Sequence, residues 1–135
     1  MCIVTNSPYT LVWTNPPAGT YSLTAVATDN SSLTATSSVI NVIIDIPPTV
    51  TLTNPVNNAV IPAGVNVSLG ASASDADGTI SQVQFFQGAT SLGVVTNSPY
   101  TLVWNTSTVG TNVLTVQATD NNGLMTTSAP VNLIE

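Results

Sequence analysis

Ten consecutive residues of this chain occur twice. Residues 4–13 and 95–104 both read VTNSPYTLVW, and the offset of 91 residues then holds without a gap to the end: Gly19 matches Gly110, Leu23 matches Leu114, Ala27 matches Ala118, Asp29 matches Asp120 and Asn41 matches Asn132. Self-similarity at a fixed offset marks a chain built from copies of one unit. The 135 residues hold one complete copy and the second half of another: residues 1–44 align with 92–135, residues 45–49 form a Pro-rich linker, and residues 50–135 are the complete copy. Prolines at 47 and 48 remove backbone donors and stiffen that joint.

Within the complete copy, apolar residues alternate and turn residues punctuate. Val50 and Leu52 alternate with threonines, and Val65, Val67, Leu69, Ala71 and Ala73 take every second position, the period of a strand with one buried face. Asp75-Ala76-Asp77-Gly78 turns the chain into a strand over 80–87, with Val83 and Phe85 inward and Phe86 outward; Gln87-Gly88 opens a hairpin into 91–95. Tyr100, Leu102 and Trp104 share one side of the next extended segment. Leu114, Val116 and Ala118 face inward on a strand over 112–119, Asp120-Asn121-Asn122-Gly123 is a hairpin turn, and a last strand runs from about 124 to 134. Seven strands with no helical period predict an all-β chain, a sandwich of two antiparallel sheets in tandem repeat.

Composition removes most chemistry. The chain has no Lys, Arg or His, and its six carboxylates set the net charge at −6. Without cations it cannot displace counterions from nucleic acid or dock on an anionic membrane, so neither is expected as a partner. General bases of the His type, Lys nucleophiles, Arg clamps and His-containing zinc sites are equally absent, and turn aspartates on a small sandwich build no cleft; we expect no enzyme and no catalytic residue. Cys2 stands alone, so no internal disulfide supports the fold, and an inert thiol is expected there. The apolar runs are too short for a transmembrane helix, so no membrane insertion is expected, and residues 1–6 lack the basic and apolar regions of a secretion signal. Asn30, Asn66 and Asn105 open N-x-Ser/Thr sequons, a pattern short enough to arise by chance.

Five segments together carry a resemblance: PTVTLTNP at 48–55, ASDADGTI at 73–80, VQFF at 83–86, SPYTLVW at 98–104 and ATDNNG at 118–123. They resemble the bacterial immunoglobulin-like repeats of cell-surface and secreted proteins, which implies an immunoglobulin-like β-sandwich and an extracellular or bacterial cell-surface setting. The chain departs from antibody domains in placing Leu69, Ala71, Val116 and Ala118 where a disulfide would bridge the sheets, and Tyr21 resembles a tyrosine-corner residue that its counterpart Asn112 does not share. The resemblance also implies calcium at aspartate-rich turns in some members. Asp75, Asp77 and Asp120 are the candidate metal ligands, since hard cations take carboxylate and turn-carbonyl oxygens. The competing reading is that these aspartates cap their own turns. No other cofactor is expected.

Tyr9, Leu11, Trp13, Leu23 and Ala25 would form the inner face of the half copy, left open without its first strands; recurrence of Tyr9/Tyr100 and Trp13/Trp104 on period-2 strands favours core packing over a sugar-stacking platform. An open face with open edges calls for strands from a neighbouring repeat or chain. The function expected is therefore a structural repeat module of an extracellular bacterial filament or long surface adhesin, self-associating or joined to neighbouring Ig-like repeats. The alternative is a spacer or glycan-binding accessory module of a secreted multidomain enzyme or adhesin, whose partners would be glycans.

Overall fold

The computed structural model describes residues 2–106 and 109–135, and among these the chain is strand, turn and loop without helix. It divides into two compact units, Met1–Ile44 and Asp45–Glu135.

The first unit holds four short strands: β1 (Gly19–Leu23), β2 (Val26–Thr28), β3 (Thr34–Thr36) and β4 (Ile40–Ile44). β1 pairs antiparallel with β4, from Gly19 opposite Ile44 to Leu23 opposite Ile40, and β2 pairs antiparallel with β3. Residues 2–18 contribute no strand.

The second unit is a sandwich of two sheets. It comprises β5 (Thr49–Asn54), β6 (Ala59–Val60), β7 (Asn66–Ser74), β8 (Ile80–Gln87), β9 (Thr90–Val95), β10 (Tyr100–Asn105), β11 (Thr111–Asp120), β12 (Met125–Thr127) and β13 (Val131–Ile134). One sheet runs β10-β7-β5; the other runs β6-β13-β11-β8-β9, with β12 also paired to β11. All pairs are antiparallel except β13 with β6.

The period-2 reading explains which faces meet. Val50, Val67 and Leu69 from the first sheet close against Val83, Phe85, Leu114, Val116, Ala118 and Leu133 from the second, with Tyr100, Leu102 and Trp104 half-buried at the margin. Phe86, next to the fully buried Phe85, is half-buried on the other side of its strand. At Gly93 a Cβ would stand 3.0 Å from Leu102 Cδ1, so glycine lets β9 approach the β10 side chains closely.

Three details differ from the sequence reading. The last strand is two, broken after Thr127, where the Ser128 hydroxyl accepts the Val116 N–H at 3.1 Å while the Ser128 N–H donates to the Val116 carbonyl at 2.8 Å, and Pro130 has no N–H for a ladder. The two-residue β6 is too short to show a period, and it forms because Asn58 N–H and Ile61 N–H reach the carbonyls of Asn132 and Ile134. Val65 lies outside the strand and is exposed. Among its described residues the complete copy thus has nine strand segments where the sequence predicts seven strands.

Residues 45–49 belong structurally to the second unit. Pro48 is buried, Thr49 opens β5, and Asp45 and Ile46 are hydrogen-bonded to turns of the same unit.

Candidate functional site

Three loops meet at one end of the second unit. Asp75 and Asp77 stand between β7 and β8, Asp120 closes β11, and Asp45 precedes β5. The Thr79 N–H donates to Asn121 Oδ1 at 2.7 Å and the Asn121 N–H donates to the Thr79 carbonyl at 2.9 Å, joining the first two loops. Asn122 Nδ2 donates to Asp45 Oδ1 at 2.8 Å and the Ile46 N–H to Asp77 Oδ2 at 3.3 Å, which ties in the third. Gly78 sits where they converge: a Cβ there would run into Asn121 Oδ1 and Asp75 Oδ2.

Asp75, Asp77 and Asp120 accept from backbone N–H groups and Asp45 from the Asn122 amide, and the chain has no Lys, Arg or His to pair with them. Asp120 is 2% exposed, and its Oδ1 accepts the N–H groups of Asn122 at 2.8 Å and Leu124 at 2.9 Å, the Asx-turn role weighed against metal ligation. Asp77 is held above the ordinary carboxylate range: desolvation is the largest cause, the Ile46 N–H pulls the other way, and the charges of Asp45 and Asp75 add to the rise. The second oxygens of Asp45, Asp75 and Asp120 are buried without a hydrogen-bond partner, the kind of oxygen a hard cation takes. Yet among the described residues no three His, Cys, Asp or Glu side chains are grouped so as to hold one metal ion. As placed, Asp75, Asp77 and Asp120 are not brought together as the ligands of one ion.

The first unit presents a different surface. Its local hydrogen bonds repeat those of the second unit at the 91-residue offset. Asp29 Oδ1 accepts from Ser31 N–H at 2.8 Å and Leu33 N–H at 2.9 Å, and Ser37 exchanges bonds with Ala25 as Ser128 does with Val116. Burial does not repeat. Leu114 is 1% exposed and its counterpart Leu23 is 41% exposed; Val116 and Ala118 are fully buried, whereas Ala25 and Ala27 are exposed. Tyr9, Leu11 and Trp13 are exposed as well, 73% in the case of Tyr9. Trp13 stands edge-on to Tyr21 with ring centroids 4.7 Å apart, and the Tyr21 hydroxyl donates to the Pro17 carbonyl at 2.8 Å, the back-bond of a tyrosine corner.

The bacterial Ig domain family matches residues 48–118, just over half of the chain. This chain belongs to that family. The matched stretch runs from the buried Pro48 into β11, so it contains β5 to β10 whole, β11 as far as Ala118, and the Asp75–Gly78 turn of the acidic end. Among solved structures, the fibronectin(III)-like modules of Clostridium thermocellum CbhA are similar at 26% identity and a TM-score of 0.59, over 64% of this chain and 93% of that one. An engineered protein solved by crystallography matches at 18% identity and a TM-score of 0.45, over 64% of this chain and 20% of that one. No curated protein matches the chain.

For this bacterial Ig domain the sequence reading named Asp75, Asp77 and Asp120 but missed Asp45, Asn121, Asn122 and Gly78. Asp45 read as linker because nothing local ties a residue ahead of two prolines to a turn some 75 positions later. The Asp-Asn-Asn-Gly turn could have flagged Asn121 and Asn122, since Asn side chains bond neighbouring backbone. Asn66 and Asn105, two of the sequon residues, face each other across β7 and β10, with Asn105 Nδ2 donating to Asn66 Oδ1 at 2.9 Å.

Proposed function

We propose that the chain is a non-catalytic structural module of an extracellular bacterial filament or long surface adhesin, in which the first unit is completed by strands from a neighbouring repeat. One observation carries this reading: side chains that are core in the second unit are exposed at matching positions of the first, Leu114 against Leu23 above all. Tyr9, Leu11, Trp13 and Leu23 are all exposed large apolar side chains, and exposed apolar side chains that gather into one patch mark association sites. Membership of the bacterial Ig domain family supports an extracellular setting, in which a chain without Lys or Arg offers trypsin-like proteases no cleavage site.

Hydrogen exchange on the 135-residue chain tests the reading. Residues 9–14 and 23–28 are expected to exchange fast while β7, β8 and β11 stay protected; slow exchange at 9–14 in a monomer would overturn it.

A second reading, a spacer or glycan-binding accessory module, is favoured by the likeness to a solved protein that itself consists of modules. In the second unit Tyr100 and Trp104 pack on the core, which leaves Tyr9 and Trp13 of the first unit as the aromatics a sugar ring could stack on. Retention on a glycan array that is lost in a Tyr9→Ala, Trp13→Ala double variant would favour it.

A further inference from the structure

We propose that Asn122 is a self-modification site: its side-chain amide is lost to attack by the backbone nitrogen of Gly123, and the carboxylate that replaces it releases Asp45 and frees the segment where the chain enters the second unit. The inference stands apart from the completion reading, since every residue it uses lies in the second unit.

Two side chains hold residues 45 and 46. Asn122 Nδ2 donates to Asp45 Oδ1 at 2.8 Å, and Asp77 Oδ2 accepts the Ile46 N–H at 3.3 Å. The same two residues are the ones this chain follows with glycine: among its Asn and Asp residues, only those at 77 and 122 precede Gly. The coincidence has chemical weight. An Asn or Asp side chain can close a five-membered succinimide ring on the next backbone nitrogen, and glycine at that next position removes the Cβ that hinders the approach.

Geometry separates the two positions. At Gly78 a Cβ would collide with Asn121 Oδ1 and Asp75 Oδ2, and the following amide, of Thr79, is bound to Asn121 Oδ1, so the backbone there has no room to swing onto Asp77. Gly123 lies open. A Cβ there would meet nothing within 4 Å, its φ of +94° is one that glycine adopts without strain, and its N–H has no hydrogen-bond partner among the described residues. The amides on either side, of Asn122 and Leu124, are both fixed on Asp120 Oδ1, which leaves the Gly123 nitrogen as the free one in the turn. Asn122 is exposed, so water reaches it.

The step balances with water as the one co-reactant. The Gly123 nitrogen forms a bond to Asn122 Cγ and gives up its proton; the Cγ–Nδ2 bond breaks, and ammonia leaves with that proton. Water then opens the ring at one of its two carbonyls, leaving an aspartate or an isoaspartate at 122. A donor to Asp45 thus becomes a second carboxylate within hydrogen-bond distance of it, at an end that already holds Asp75, Asp77 and Asp120 and in a chain with no Lys, Arg or His to offset the charge. Two carboxylates so close resist ionising together, so repulsion replaces the bond. The first unit is spared, because Ser31-Ser32 stands where the second has Asn122-Gly123.

The test is timed incubation of the 135-residue chain at mildly alkaline pH, folded and in urea, read by chymotryptic mass spectrometry, by labelling with a protein isoaspartyl methyltransferase and by hydrogen exchange. In the folded chain the peptide holding residue 122 is expected to gain one dalton before any other asparagine peptide, and to take the isoaspartate label. The modified fraction, separated on an anion exchanger by its extra negative charge, is expected to exchange the Ile46 amide faster. Asn122→Gln, which closes the ring far more slowly, should show no gain at 122, and Asn122→Asp should show the fast Ile46 exchange from the start. Ammonia loss at 122 in urea but not in the folded chain would overturn the inference, as would earlier loss at another asparagine. Modification at 122 with Ile46 exchange unchanged would overturn it equally.

Discussion

Asp120 and Asp29 are the same residue type making the same two backbone bonds in different surroundings, one buried and one exposed. Removing a buried charged acceptor from two N–H groups costs about 2 kcal/mol, whereas water replaces an exposed one at little loss. Asp120→Ala is therefore expected to destabilise the second unit by about that amount, Asp120→Asn by less because an amide oxygen still accepts, and Asp29→Ala to leave the main urea transition unmoved. Gly78→Ala should cost about 1–3 kcal/mol, since its Cβ has to displace Asn121 and Asp75. Asp77 sets a pH dependence. Its pKa is raised in the folded state, so folding is penalised above that value and the penalty is relieved as pH falls through it. Asp77→Asn, which keeps an acceptor for the Ile46 N–H, is expected to raise the Tm at neutral pH. Melts of the variant between neutral and about pH 4 should lack this part of the acid gain.

At the scale of elements, much of the fold was legible because alternation does not depend on context: β5 and β8 fall where Val50/Leu52 and Val83/Phe85 place them, and the inward residues of β11 are those read from the sequence. What escaped reading depends on partners distant in sequence. β6 exists through bonds to β13, the break before β13 through Ser128 meeting Val116, and the place of Asp45 through Asn122. Residues 9–13 make the point most directly, since the ten residues VTNSPYTLVW enter a strand at 100–105 and none at 9–14. Alternation licenses a strand; only a neighbouring strand makes one. The paired leucines give a quantitative check. Leu114→Ala, in a site with 1% exposure, should cost about 3 kcal/mol, and Leu23→Ala, 41% exposed, well under 1 kcal/mol, both read from urea denaturation.

For the whole molecule, the two units should respond differently to proteases. Trypsin finds no site anywhere. Chymotrypsin is expected to cut first at Tyr9, Leu11 and Trp13, leaving a resistant fragment that contains residues 45–135, which mass spectrometry of the early products would identify. The parallel pair of β6 and β13 has a mechanical consequence for that fragment. Tension drawn out through Asp45 at one terminus and Glu135 at the other pulls the two strands in opposite senses along their shared axis, so the bonds at Asn58, Ile61 and Asn132 are sheared together and not unzipped one by one. A latch of two residues thus becomes the element that resists stretching.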